Sequence, residues 1–396
     1  MYDAIIVGAR CAGSPTAMLL ARKGYRVLLV DRGTFPSDTI STHIVWPPGI
    51  ARLERWGLAE AVGASNCPAL RSIRFDVGDF ALTGEPSPAG TTTRWYAPRR
   101  TVLDQILVEA AVGAGAELRE TFPVHGLTTD DGRVTGIRGG AGGSVVTERA
   151  RIVIGADGMH SIVAREVCAP AYNVKPPLAC WYYTYWTGVP LERVEYYVRD
   201  GRSFGAIPTN DGLVCLPVGW TRDEFPAYRA NVEANYLKTL DLAPGLAERV
   251  RAGSRAERFY GTADVPHFFR QSHGAGWALV GDAGYHKDPI TAQGISDSFH
   301  AAELLSEAVD DVLAGRGAEQ EALAEYQRRR DDAVMPMYDL TCQLATLDPP
   351  PPDLQELLGA IRGNQRETDR FLGMITGTVP IPEFLSDENR RRILDA

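Results

Sequence analysis

Short apolar runs alternate with amphipathic stretches along the chain. Residues 3–7 (DAIIV) form an apolar run ending at Gly8, and residues 26–30 (RVLLV) form a second ending at Asp31. Between them, residues 13–23 have helical spacing, with Met18, Leu19 and Leu20 on the face expected to be buried. Strand, Gly-rich turn, helix and strand make a βαβ unit. A continuous rather than alternating apolar strand predicts a parallel sheet covered on both faces.

Residues 49–58 predict a short helix, 71–84 and 91–97 alternating strands, and 101–113 an amphipathic helix. Further strands are expected at 116–119, 133–138, 150–154 and 277–281, and helices at 227–251 and 294–314. From Pro176 to Trp220 the chain is rich in Trp and Tyr, which predicts an antiparallel sheet. Pro349 to Pro352 form an extended break that sets off a C-terminal helical segment.

The expected class is α/β mixed with α+β. A discontinuous Rossmann-like domain (1–70, 98–175, 260–330) carries an inserted sheet domain (71–97, 176–259), followed by a helical segment at 331–396.

Composition narrows the function. The 396 residues are 44% hydrophobic and 23% charged, enough for a large core. The net charge of −9 argues against nucleic acid as a partner. Six separated cysteines, with no CxxC pair, argue against a metal site and a disulfide scaffold. No apolar run approaches the ~18 residues of a membrane span. The N-terminus enters a strand without a basic stretch or cleavage site, so a cytoplasmic protein is expected.

The turn Gly8-Ala9-Arg10-Cys11-Ala12-Gly13 opens the first helix. A dinucleotide fingerprint has glycine at its first, third and sixth places. Gly8 and Gly13 fill the first and sixth, while Arg10 holds the third. Arg10 is open to two readings, a phosphate contact or a side chain pointing to solvent. The helix start offers free N–H groups and partial positive charge to a pyrophosphate. Asp31, with Arg32 beside it, ends the second strand, where an acid can accept two hydrogen bonds from a ribose. Gly8, Arg10, Cys11, Ala12, Gly13, Asp31 and Arg32 are therefore the first candidate binding residues.

Two more motifs end apolar strands: Gly155-Ala156-Asp157-Gly158, followed by Ser161 and Arg165, and Gly281-Asp282-Ala283-Gly284, followed by Pro289 and Gly294. In this order over residues 1–320, the three resemble the FAD-dependent aromatic hydroxylases, single-component monooxygenases with a para-hydroxybenzoate hydroxylase-like fold. The resemblance implies FAD as cofactor and NAD(P)H as transient electron donor. It implies that Asp31 binds the adenosine ribose and that Arg100, opening an R-x-x-L-D helix with Leu103 and Asp104, lies along the phosphates and ribityl chain. Arg99 is its alternative. Asp157 is implied in FAD and NAD(P)H binding, Gly281 and Asp282 at the ribityl chain, Pro289 beside the flavin ring, and Gly294 and Ile295 beneath the pyrimidine edge. Ala292 stands where the family usually has glycine, and Arg165 falls one residue late.

The implied reaction reduces the flavin with NAD(P)H, adds oxygen to give a flavin hydroperoxide, and oxidises a small aromatic or polyketide-like substrate. Trp181, Tyr183 and Tyr185 share one strand face and are candidate substrate contacts, with His43. His286 is a candidate catalytic residue beside Pro289, Gly294 and Ile295, and Lys287 reads as a solvated loop residue. Four rival functions stand beside this one. The nearest is an FAD-dependent reductase of the geranylgeranyl type. A halogenase is disfavoured because Trp181 to Pro190 lacks the Trp-x-Trp-x-Ile-Pro pattern. A non-catalytic flavin binder and a redox-neutral cyclase complete the set. A homodimer and a separate flavin reductase are the protein partners considered.

Overall fold

A computed structural model of the chain describes residues 1–140 and 144–395. Residues 141–143, inside the expected 98–175 stretch, and 396, closing the expected 331–396 segment, lie outside the described residues.

The first sheet grows from the two N-terminal apolar runs. Tyr2–Val7 pairs in parallel with Val27–Val30 on one side and Val146–Gly155 on the other, and Trp277–Leu279 adds in parallel to Val146–Gly155. Ala4, Ile5 and Ile6 are fully buried, because both faces of this strand are covered. The helices Gly13–Arg22, Arg100–Gly113 and Gly294–Leu313 cover one face through Met18, Leu103 and Phe299. The antiparallel strands Val124–Asp130 and Arg133–Gly139 supply Leu127, Val134 and Ile137 to the other.

Register fixes where the motifs lie. Val7 is opposite Val30 and Gly155, and Leu279 is opposite Gly155. The residues that follow these strand ends, Gly8, Asp31, Ala156 and Gly281, therefore crowd the C-terminal edge of one sheet, the usual ligand-binding edge of a parallel sheet.

The second sheet joins Ala179–Thr187, Val214–Thr221, Arg202–Pro208 and Val194–Arg199 in antiparallel order. It departs from the expected all-antiparallel form at one pair. Ile73–Asp76 lies parallel to Val194–Arg199, since it arrives from a remote segment and docks on a free edge. The expected strand at 91–97 is absent. Its alternation reflects isolated bridges to different partners, Leu70 with Trp95 and Val45 with Tyr96, which cannot build a ladder. The helical stretch at 227–251 is three helices, Phe225–Ala230, Val232–Leu240 and Pro244–Ala252, with Pro244 opening the last.

The two faces of Ala179–Thr187 have different fates. Cys180 and Trp186, with Tyr182 partly buried beside them, pack toward the three helices. Tyr183 and Tyr185 join the core shared with the first sheet's helices.

The helix Glu319–Leu344 runs unbroken through the 330/331 boundary expected from sequence. Beyond Pro349 lie the helices Pro352–Ala360 and Gln365–Thr376. The second packs on the strand edge through Phe371 against Phe75, with ring centroids 5.3 Å apart, and Asp369 accepting from Glu85 N at 2.9 Å. Among the described residues, no helix is long and apolar enough to cross a membrane.

Candidate functional site

The three glycine motifs touch one another. Gly8 has φ +102°, and a Cβ there would lie 2.4 Å from the Ala156 carbonyl oxygen. A Cβ on Gly281 (φ +61°) would lie 2.6 Å from the Ala12 methyl. Only glycine permits this closeness. No side chain caps the helix start at Ala12; Ser14 N donates to Arg10 O at 3.0 Å and Pro15 has no N–H, so Gly13 N is the leading donor left for a ligand.

Around this turn, several candidates are held by protein partners. Asp31 Oδ2 accepts from Ala9 N and Oδ1 from Gly33 N, both at 2.8 Å, so this acid also braces the turn. Each oxygen keeps a second lone pair for a ribose hydroxyl. Arg32 beside it is exposed. Arg10 does not simply point to solvent. Its guanidinium donates to Asp104 at 2.6 Å and to Ser37 Oγ at 2.9 Å. Cys11 Sγ also reaches Asp104, at 3.3 Å, and burial pushes its thiol well above the usual range, so it is an inert packing group.

Asp104 is the fully buried hub, accepting from Arg10, Cys11 and Arg100. The adjacent arginines diverge. Arg100 is buried on the turn side, beside Asp104 at 3.0 Å and within the field of Asp282. Arg99 pairs instead with Asp38 (2.8 Å) and Glu257 (2.5 Å).

Asp157 is used locally. Its carboxylate accepts from Ser161 Oγ at 2.5 Å and Ile162 N at 2.7 Å, fixing the start of the helix Ile162–Glu166. Burial raises its pKa, against those hydrogen bonds. Asp282 is exposed, and among the described residues no group donates to its side chain.

After Pro289–Thr291 the chain passes Ala292 at φ +52°, a left-handed conformation that explains why glycine suits this place. Gly294 is exposed, with open space where a Cβ would stand, and opens a twenty-residue helix whose start has no side-chain cap. Gln293, at the cap position, donates instead to Ile375 O at 2.8 Å. The first N–H groups, with Ile295 among them, are thus free to meet a negative charge. Two uncapped helix starts, a buried arginine, an unpartnered carboxylate and a ribose-competent acid form a donor and acceptor set that fits FAD.

His286 and Lys287 are both more tightly held than their sequence suggests. His286 Nδ1 is bonded to the Pro266 carbonyl, and its ring stacks on Phe268. Lys287 is not solvated: its buried ammonium donates to Tyr285 OH at 2.7 Å and pairs with Asp297.

Across the same edge lies the aromatic group. His43, fully buried at φ +66°, has Nε2 2.6 Å from the Tyr185 hydroxyl. Tyr183 meets both rings edge-on, and Tyr260 stacks on Tyr183. The Arg99 guanidinium lies 4.3 Å from the Tyr185 ring centroid. His43 Nδ1 is buried without a protein partner. Burial drives the His43 pKa down to about 3, with Asp38 opposing and Arg100 and Arg99 adding to the fall. The segment that carries His43 is close to the first sheet's loops, since Trp46, three residues on, donates from Nε1 to Thr291 O at 3.1 Å.

Trp181 parts from this group and donates to Asp288 at 3.1–3.2 Å. Asp38, Glu257, Tyr260 and Asp288 were not picked out from sequence. Glu257 is 158 residues from the arginine it meets, so no local pattern points to it. Asp104 alone had a signal, the R-x-x-L-D spacing.

A profile of the FAD binding domain family matches residues 1–341. Digeranylgeranylglycerophospholipid reductase of Methanocella arvoryzae is 26% identical over 360 residues, spanning 84% of this chain and 83% of the relative. The flavin-dependent brominase Bmp2 superposes on 100% of this chain and 97% of its own, with TM-score 0.84 at 19% identity. PqsL of Pseudomonas aeruginosa, in complex with 2-aminobenzoylacetate, covers 94% and 98% with TM-score 0.74 at 22% identity. At these identities the solved structures share the fold, and the fold is common to proteins with different reactions.

Proposed function

The chain belongs to the FAD binding domain family and is an FAD-dependent oxidoreductase, and from that premise we propose that it is a monooxygenase. It uses NAD(P)H and O2 to hydroxylate or oxidise a small aromatic or polyketide-like substrate. The observation that carries this reading is the buried His43–Tyr185 pair with His43 Nδ1 unpaired. A buried polar atom without a partner costs roughly 1–3 kcal/mol, so it favours a ligand that brings one. A substrate hydroxyl or carbonyl on an aromatic ring supplies that partner while its ring packs among Tyr183, Tyr185 and Tyr260.

Gly8, Ala12, Gly13, Asp31 and Arg100 would hold the adenosine and phosphate end of FAD. Asp282, Pro289, Gly294 and Ile295 would hold the ribityl chain and ring, and Asp157 shapes the loop between. Bound FAD supplies the redox chemistry, taking a hydride from NAD(P)H and passing one atom of O2 to the substrate. The chain supplies position and dryness. The free N–H groups at Gly294 and Ile295 would stabilise negative charge on the bound ring, and the aromatic wall would exclude water.

Saturation of an isolated double bond, the reaction class of the Methanocella relative, is the competing activity. The polar groups around Tyr185 argue against it, because Arg99, Glu257 and His43 suit a polar aromatic better than a hydrocarbon chain. The test is to screen phenolic and polyketide-like compounds for NAD(P)H oxidation coupled to oxygen uptake. Coupled uptake with an oxygenated product supports the proposal. Product that forms without oxygen, with a double bond reduced, overturns it.

A further inference from the structure

Asp288 is 1% exposed, and among the described residues no cation pairs with it. Its Oδ1 accepts from Ile290 N at 2.9 Å, and both oxygens accept from Trp181 Nε1 at 3.1–3.2 Å. A carboxylate has about four lone-pair sites, so two N–H donors leave it under-solvated for a charge. The groups around it do not repair this. Lys287, the next residue, is turned to Asp297 and Tyr285. On Glu319–Leu344 the field of Asp288 reaches Cys342, which is bonded at 3.1 Å to His267 Nδ1 of His267–Arg270. Burial holds the His267 pKa down to about 4, so it is neutral, and Lys175 acts only on that pair.

This lone carboxyl sits immediately before Pro289 and caps the turn that leads into the Gly294–Leu313 helix start. That helix start is the feature arranged to stabilise negative charge on a reduced flavin. A carboxylate on the same turn opposes it, and a neutral carboxyl does not.

We propose that Asp288 takes up one proton from water when two electrons enter the bound FAD, so that the charge placed on the ring is offset in the adjoining turn. The electrons come from NAD(P)H, or from dithionite in the test. The proton comes from solvent, and no bond of the protein other than the new carboxyl O–H is made. The inference rests on the FAD site described above. The burial that pushes this carboxyl up to about 7 places the exchange near neutral pH. Trp181 holds back that rise by donating to the charged form, which ties the sheet strand to the proton affinity of the flavin-side turn.

The test measures the midpoint potential of protein-bound FAD, by its visible spectrum against reference dyes, from about pH 5 to about pH 9. The proteins are wild type, Asp288→Asn and Trp181→Phe. One extra proton per two electrons makes the reduction equilibrium tenfold more pH-sensitive per unit, about 30 mV for a two-electron couple. The wild-type curve should therefore be steeper than that of Asp288→Asn over a window near neutrality. Trp181→Phe should move that window to higher pH. Parallel wild-type and Asp288→Asn curves, in proteins that both hold FAD, overturn the proposal alone. A protein that takes up no FAD overturns the reading beneath it and the proposal together.

Discussion

Arg10 donates to Asp104 at 2.6 Å across 94 residues, tying the Gly-rich turn to the Arg100–Gly113 helix. The third place of the fingerprint, normally a glycine that admits a phosphate, is thus occupied by a strut. Arg10 is 28% exposed in its side chain, whereas Asp104 is fully buried and shared with Arg100 and Cys11.

Restoring glycine at this place, Arg10→Gly, is therefore expected to harm rather than help. It removes one of two cations from a buried carboxylate, at a cost of about 2 kcal/mol, below the full figure for a buried pair because Arg10 is partly solvated. Urea unfolding of the two proteins measures this. An unchanged midpoint would mean that Arg100 alone satisfies Asp104.

Asp31 and Asp282 should separate on two readouts. Asp282→Ala removes an exposed carboxylate with no protein donor, so the purified protein should be largely colourless while its apo stability is unchanged. Asp31→Ala also strips Ala9 N and Gly33 N of their acceptor. It should weaken FAD about tenfold or more and lower apo stability by roughly 1–3 kcal/mol. Flavin absorbance and thermal melts of apo protein decide the pair. Normal FAD occupancy in Asp282→Ala refutes its ribityl role.

Tyr185→Phe leaves both nitrogens of the buried His43 ring without a protein partner. The expected loss is roughly 1–3 kcal/mol of stability. FAD content should not change, since Tyr185 is assigned to the substrate side. A variant as stable as wild type would show that water satisfies the ring.

His43 gives the acid limb a definite sign. Its folded pKa is lowered to about 3 from 6.5, so below 6.5 the unfolded chain binds a proton that the folded chain refuses. Its contribution is fully present above 6.5 and is lost as pH falls toward 3, by up to about 1.4 kcal/mol per pH unit. His43→Gln, which cannot titrate, should lose less stability than wild type between neutral and acid pH. Equal losses, read from urea midpoints, would count against a neutral buried ring.

The sequence by itself determined the elements and the loops that matter. Apolar runs ending at Gly8, Asp31, Gly155 and near Gly281 marked parallel strands, and parallel strands in register must bring their C-terminal ends to one edge. That information is local, written in periodicity and in glycines that adopt backbone forms other residues avoid. Only the tertiary structure decided partners. The turning of Arg99 from Arg100, the burial of Lys287 against Asp297, the meeting of His43 with Tyr185 and the hold of Trp181 on Asp288 all join segments distant in sequence or separated by a turn. Such contacts depend on how two sheets and their covering helices dock, which is set by summed packing across the core rather than by any pattern within one segment.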